Sequence, residues 1–461
     1  MSKARYVKIE KLEISRNRLL EFKLSYSKNV RKYFSGSSFY VEYDKEVHNV
    51  SRSILHIPAV ANIITLAWAI GADIYVKELD KTYLESLNKV KSVFKRFYPK
   101  LPFSTRINVE EIVSNRFFNE GYGLLFSGGV DSMTSYIRHK DKKPNLIMVW
   151  GVDIPVRARL HWMQVRGIYK EFAAQENVKI NFIKTNIREF LNEFLLDTEF
   201  GRYAIDLSWW GGFHHGIALL GLCAPLTMER IGTILIASGA SPHSARRYAW
   251  GSSPLIDNKI SVADIKVVHD GYELSREEKI GKVLKGYIRN ERRYPALKVC
   301  WSQYHDFNCS KCEKCSRTIT GLVLQNIDPN KCGFRIDSNF FAFLRENLIK
   351  GGFTSNEQNI QIWKRLQRSI PKELTNDLYN SKEFFAWFRD FDISGNAKRI
   401  EIRARALLTR LRALCLLGVY NRLPKIVQNT IRSAHYNALA QGFHLYDIGY
   451  WIARASKMVG A

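Results

Sequence analysis

Phe126-Ser127-Gly128-Gly129-Val130-Asp131-Ser132 follows the apolar run 123–126 and leads into a helix-compatible segment. In that setting a Ser-Gly-Gly turn is a phosphate cradle. The small residues let the backbone approach a ligand, several N–H groups converge, and the start of the helix adds a partial positive charge that favours an anion. The Walker A loop is a different cradle, because it requires a Gly-Lys-Ser/Thr ending that this segment lacks.

Working outward, the pattern alternates between strands and helices. Strands are expected over 122–126, 146–150, 178–183 and 233–237, with helices from 131, over about 157–176, and near 187–196 and 213–228. Such alternation predicts an α/β fold with a doubly wound parallel sheet, whose ligands sit beyond the carboxyl ends of the strands. The loops at those ends are 127–132, 151–153 and 238–241.

Downstream, Cys300, Cys309, Cys312 and Cys315 gather four of the seven cysteines into one short stretch with Cys-x8-Cys-x2-Cys-x2-Cys spacing. Two residues between cysteines let a tight knuckle place both thiolates on one tetrahedral ion, so the spacing predicts a structural zinc site. Four thiolates leave no open coordination position for catalysis. Lys311, Lys314 and Arg317 are placed to offset the negative charge of such a centre.

Ser-Gly-Gly-x-Asp-Ser at 127–132 resembles the PP-loop of the ATP pyrophosphatases, which cleave ATP between the α and β phosphates. A PP-loop followed by this cysteine spacing resembles the 7-cyano-7-deazaguanine synthase (QueC) family, over roughly residues 122–334. The resemblance implies a PP-loop ATP pyrophosphatase domain over 117–335, with ATP, Mg²⁺ and Zn²⁺ as cofactors. Ser127, Gly128, Gly129, Val130, Asp131 and Ser132 would hold the phosphates and Mg²⁺, with Trp150, Gly151 and Gly239 at the neighbouring strand ends completing the nucleotide site. The reaction implied is adenylation of a carboxylate, on a 7-deazaguanine, followed by attack of ammonia or an amine to give an amide or nitrile. Ser127, Asp131 and Ser132 would act in that step.

Departures from the family bear on the acceptor. Its Asp-rich, Pro-Asp-Cys-containing substrate loop is replaced here by residues 241–251, where Arg246 and Arg247 suit an acceptor carboxylate and Tyr248 or Trp250 suits a flat ring. Beside the knuckle, Trp301 stands where Tyr is usual and Ser310 replaces a Gly. Ser275-Arg276-Glu277-Glu278-Lys279 resembles the helix start that follows the family's substrate loop, which makes Arg276 and Lys279 the candidate cations for the leaving pyrophosphate. His214 and His215 read as packed or solvated, and Cys223, Cys332 and Cys415 as structural thiols.

The flanks enlarge the chain to 461 residues. Residues 1–116 alternate as strands near 6–10, 20–24 and 39–43, then carry a buried helix over 57–70 and an amphipathic one over 80–97, which reads as a β-rich N-terminal domain. Residues 336–461 read as a helical region with an amphipathic helix over 400–417. Enlarged QueC-like proteins are known in prokaryotic antiviral defence operons, and the added flanks of this chain resemble that subgroup, which brings a protein acceptor into view.

The formal charge of +26 is spread as +9, +8 and +9 over 1–116, 117–335 and 336–461. A dispersed positive surface serves ATP and pyrophosphate capture as well as RNA, so a nucleic-acid partner is the less favoured reading. A hydrophobic content of 46% excludes a disordered chain. The longest apolar stretch, 57–72, is too short for a membrane span, and clustered thiols suit a reducing compartment, so a cytoplasmic protein is expected. Two further readings stay open: a tRNA-modifying PP-loop enzyme, and a nucleotide-binding scaffold without turnover.

Overall fold

Five parallel strands carry the site. They are β6 (Gly121–Leu125), β7 (Asn145–Trp150), β8 (Ile180–Thr185), β9 (Ile231–Ala237) and β11 (Ile265–Asp270), side by side in the order β8-β7-β6-β9-β11. Beginning in the middle at β6, the chain first winds to one side and then to the other. The order therefore reverses between β6 and β9, and a ligand crevice is expected at that reversal. Leu124, Leu146, Ile147, Ile234 and Leu235 are buried, as a sheet covered on both faces requires.

Residues 4–36, 38–204, 208–239, 250–300, 307–354, 357–374 and 377–395 are described in this computed structural model, and the chain divides into two compact units, Met1–Lys279 and Ile280–Ala461. In the first unit, β1 (Tyr6–Ser15), β2 (Leu19–Tyr26), β3 (Ser38–Tyr43), β4 (Asp73–Asp80) and β5 (Ile107–Val113) extend the same sheet. The join is antiparallel, with Val41 opposite Thr185 and Tyr43 opposite Ile183. Segment 1–116 is thus β-rich, as its alternation suggests, but it shares its sheet with the segment that follows. The edge of β8 would otherwise leave a row of backbone groups unpaired, and β3 satisfies them. With β10 (Ser261–Val262) antiparallel to β11, the eleven-stranded sheet is mixed and mostly parallel.

One face of the N-terminal strands packs under the Ile57–Ile70 helix, all of whose residues are buried. Its Asn62 amide donates to the Pro58 carbonyl at 2.8 Å, which removes the cost of a polar group there. The Lys81–Phe97 helix is capped by Asp80, whose side chain accepts from the Tyr83 N–H at 2.8 Å. Strands β4 and β5 are additional to the expected ones: β4 alternates buried Ile74 and Val76 with exposed Tyr75 and Lys77, whereas β5, at the sheet edge, has no buried residue and so carries no such pattern. The single helix expected near 187–196 is two, Ile187–Phe190 and Glu193–Phe200, divided where Asn192 caps the second.

In the second unit, the Glu313–Leu324 helix starts within the cysteine cluster, with Cys312 at its N-cap and Cys315 in its first turn, and Phe340–Lys350, Glu357–Arg368 and Ser381–Asp390 build the helical region. Phe341 packs on Phe384 and Phe385, and Trp363 packs on Phe353 and Phe388. The amphipathic stretch at 400–417 and Cys415 lie outside the described residues. No helix among the described residues is long and apolar enough to cross a membrane.

Candidate functional site

The Ser-Gly-Gly turn stands at the carboxyl end of β6, the central strand, and opens the Val130–Arg138 helix. Phe126 closes the strand by donating its N–H to the Ile147 carbonyl at 2.8 Å. Gly128 then takes φ +75°, and a Cβ there would fall 1.9 Å from the Tyr169 hydroxyl oxygen, so only glycine fits. Gly129 is the residue before the first helical turn, and no side chain caps that turn. Its N–H groups are therefore available in direction and charge for an anion.

Ser127 and Ser132 bind the turn to itself. The Ser127 N–H donates to Ser132 Oγ at 3.3 Å, the Ser132 hydroxyl reaches the Gly129 carbonyl at 3.3 Å, and the Gly129 N–H donates to Ser127 Oγ at 3.4 Å. These are long bonds. A phosphate could take their place with little loss.

Asp131, in the first turn of the helix, holds both candidate cations. Arg276 Nη1 donates to Oδ2 at 2.9 Å and Lys279 Nζ to Oδ1 at 2.9 Å. Lys279 also donates to the Ser238 carbonyl, just beyond the end of β9. The lysine side chain is 2% exposed, the arginine 14% and the aspartate 24%. The short helix bearing Arg276 is set by a capping box, in which Ser275 and Glu278 each accept from the other's backbone N–H. Two positive groups, separated from Asp131 by about 145 residues of sequence, thus meet at the mouth of the turn.

A second set of contacts, which the sequence reading did not single out, ties the same helix to the end of β11. The Ser135 hydroxyl donates to Asp270 Oδ2 at 2.6 Å, His139 Nε2 lies 3.0 Å from Oδ1, and the Ser238 N–H donates to the Asp270 carbonyl at 2.8 Å. Burial opposes the charged form of Asp270, but the His139 and Ser135 hydrogen bonds and the nearby Arg138 outweigh it and hold the carboxyl below its usual range.

The remaining expected nucleotide residues flank the turn. Trp150 ends β7 and stacks on Trp162 with 5.5 Å between rings, while its Nε1–H donates to the Pro155 carbonyl at 3.0 Å. Gly151 has φ +109° and donates its N–H to the Ile154 carbonyl at 2.9 Å. Gly239 lies two residues past β9, on the other side of β6. Trp250 is half-buried and precedes Gly251, whose backbone bonds Gly211 and Gly216. Arg246, Arg247 and Tyr248 lie outside the described residues.

His214 is packed. It is fully buried between Thr65 Oγ1 at 2.9 Å and Asn62 Oδ1 at 3.1 Å, and burial pushes its pKa down to about 3. Cys223 and Cys332 are buried thiols whose pKa burial raises, as structural residues require.

The second unit holds the cysteine cluster. The sulfurs of Cys300, Cys309, Cys312 and Cys315 all lie within 4.8 Å of one another, with Cys300 and Cys312 at 3.8 Å and Cys309 and Cys315 at 3.9 Å. A tetrahedron of Zn–S bonds near 2.3 Å has edges of roughly 3.8 Å, so the cluster fits a metal such as zinc, and a disulfide would need about 2.05 Å. The Cys312 N–H donates to Cys309 Sγ at 3.2 Å and the Cys315 N–H to Cys312 Sγ at 3.4 Å, the contacts that stabilise thiolates. Hydrogen bonds from Cys309, Cys312 and Cys315 hold the Cys300 thiol far below its usual value.

Asn308 was not legible as a site residue, yet it braces the knuckle from inside. Its Oδ1 accepts from the Val299 and Cys300 N–H groups at 3.1 Å each, and its Nδ2 donates to the Leu297 and Gly333 carbonyls at 2.8 Å each. The buried cation at the cluster is Lys298, which donates to the Cys300 carbonyl; Arg317 instead pairs with Glu313 at 3.6 Å.

Compared with known protein families, curated proteins and solved structures, the chain matches none of them.

Proposed function

We propose that this protein is an ATP-dependent, AMP- and pyrophosphate-forming ligase of the QueC-like PP-loop type, which adenylates a carboxylate and joins it to nitrogen. The observation that carries the reading is the meeting of Lys279 and Arg276 on Asp131, at the mouth of an uncapped Ser-Gly-Gly turn on the central strand. An anion-binding turn alone would suit many nucleotides. Two cations beside it suit a leaving pyrophosphate, on whose bridging oxygen charge grows as the bond to the α phosphorus breaks.

In this reading the backbone N–H groups of residues 129–132 and the Ser127 and Ser132 hydroxyls hold the phosphates. A carboxylate oxygen bonds to the α phosphorus, the bond to the β-phosphate oxygen breaks, and pyrophosphate leaves towards Lys279 and Arg276. An amine nitrogen then bonds to the acyl carbon as the acyl–oxygen bond breaks, releasing AMP and a proton. Mg²⁺, when bound, neutralises phosphate charge. Asp131 is the carboxylate placed for it, although both of its oxygens are engaged by cations, so the ion fits only if phosphate draws one of those cations away. The cysteine cluster holds zinc in a structural role.

The acceptor we propose is a 7-deazaguanine carboxylate, with ammonia or an amine, on a small molecule or a protein partner, as nucleophile. The test is incubation with MgATP, ammonium and 7-carboxy-7-deazaguanine, followed by mass spectrometry. AMP, pyrophosphate and a new amide or nitrile are expected. ADP as the sole nucleotide product would overturn the reading, and AMP formation only with RNA added would favour the tRNA-modifying alternative.

A further inference from the structure

The Gly128–Gly129 peptide is the least constrained link of the cradle by its own chemistry. Neither residue carries a side chain, and Gly128 sits at φ +75°. A peptide group is planar, with its C=O and N–H pointing in opposite directions, so whatever holds one end aims the other. Tyr169 holds one end. Its hydroxyl donates to the Gly128 carbonyl at 3.1 Å, and the residue is wholly buried. Its ring is fixed edge-on against Phe126 at 5.2 Å and 88°, and against Phe172 at 6.4 Å and 86°.

At the other end, the Gly129 N–H points to Ser127 Oγ over a long 3.4 Å, and Ser127 is exposed. This N–H therefore faces the open side of the turn. Were the peptide to turn over, its carbonyl oxygen would face that side instead and present partial negative charge to an incoming phosphate.

We propose that Tyr169 is a positioning residue for the cradle: its hydroxyl locks the Gly128–Gly129 peptide in the orientation that accepts an anion. The inference rests on the nucleotide reading for its ligand but not for its geometry. Tyr169 comes from the Arg159–Gln175 helix, which follows β7, so the lock couples the central turn to the neighbouring strand-helix unit.

The test compares the full-length protein with Tyr169→Phe, which keeps the ring contacts and removes only the hydroxyl. Tyr136→Phe serves as a control, because Tyr136 belongs to the same aromatic cluster but bonds Glu176 Oε2 at 2.7 Å instead of the turn. Titration calorimetry with MgATP and with inorganic pyrophosphate is expected to show about three- to tenfold weaker binding for Tyr169→Phe and unchanged binding for Tyr136→Phe, with both variants melting within about 5 °C of the parent. Equal affinity in Tyr169→Phe and parent, or equal weakening in both variants, would overturn the lock.

A second measurement does not depend on the ligand. Labelling glycine with carbonyl ¹³C and amide ¹⁵N selects amides that follow a glycine, which in this sequence are Gly129, Gly212 and Gly352. Tyr169→Phe should broaden the Gly129 signal by microsecond-to-millisecond exchange and leave the other two unchanged. A parent protein that binds neither probe would refute the nucleotide reading, and the Gly129 signal would still decide the lock: a signal unaltered by the substitution overturns it.

Discussion

Lys279 Nζ lies 2.9 Å from Asp131 Oδ1 although the lysine side chain is only 2% exposed. A buried ammonium needs its partners, and here they are one carboxylate oxygen and the Ser238 carbonyl. Asp131→Ala is therefore expected to lower the unfolding free energy by about 2–3 kcal/mol, because it leaves a desolvated lysine beside Arg276. Adding Lys279→Met should restore more than half of that loss. Urea unfolding of the two single variants and the double variant measures the coupling, and simple additivity would contradict it.

The two glycines of the turn should respond differently to alanine. Gly128→Ala meets both a positive φ and the Tyr169 hydroxyl, so a destabilisation of about 3 kcal/mol is expected. Gly129 has φ −73° and ψ 170°, an ordinary extended conformation, and Gly129→Ala should change stability by no more than about 1 kcal/mol. Thermal melts of both proteins check this.

Metal analysis of the purified protein is expected to find about one zinc per chain, and Cys312→Ser should lose it. Asn308→Ala removes the acceptor of the Val299 and Cys300 N–H groups, so zinc affinity should fall about 10- to 100-fold in a chelator competition with all four cysteines intact. Retained affinity would show that Asn308 does not brace the site.

Acid should destabilise the fold before the carboxylates titrate. Burial lowers the pKa of His214 to about 3 and that of His56 to about 4, from an ordinary value of 6.5. The folded state therefore binds fewer protons than the unfolded chain between pH 6.5 and those values, and stability present above pH 6.5 is lost as pH falls. The slope from His214 alone approaches ~1.4 kcal/mol per pH unit between about pH 6 and 3. His214→Gln should flatten that part of the profile, and an unchanged slope would contradict a neutral buried imidazole.

Legibility followed the range of the interactions. The run of buried residues in β6 and the glycines after it announce a strand, a turn and a helix within a dozen positions, and the cysteine knuckle is encoded by spacing alone. Tyr169 left only a trace: it stands on the buried stripe of its helix with Trp162, Val165 and Ala173, where a hydroxyl needs a partner, but the partner lies 41 residues away. Asp270 and Asn308 left less, since an aspartate at a strand end and an asparagine before a cysteine have many ordinary roles.

The division of the chain shows the same limit. Alternation identified strands before residue 44, but the pairing of Val41 with Thr185 joins segments 144 residues apart, and no local pattern records an edge in need of a neighbour. By itself, the sequence determined the chemistry available: a Ser-Gly-Gly turn between a strand and a helix, four thiols at metal spacing, and two cations after a helix cap. Only the tertiary structure decided which charges meet. The sheet order sets the end of β9 beside the end of β6, and burial there leaves Lys279 with Asp131 and Ser238 as the groups that can replace its water.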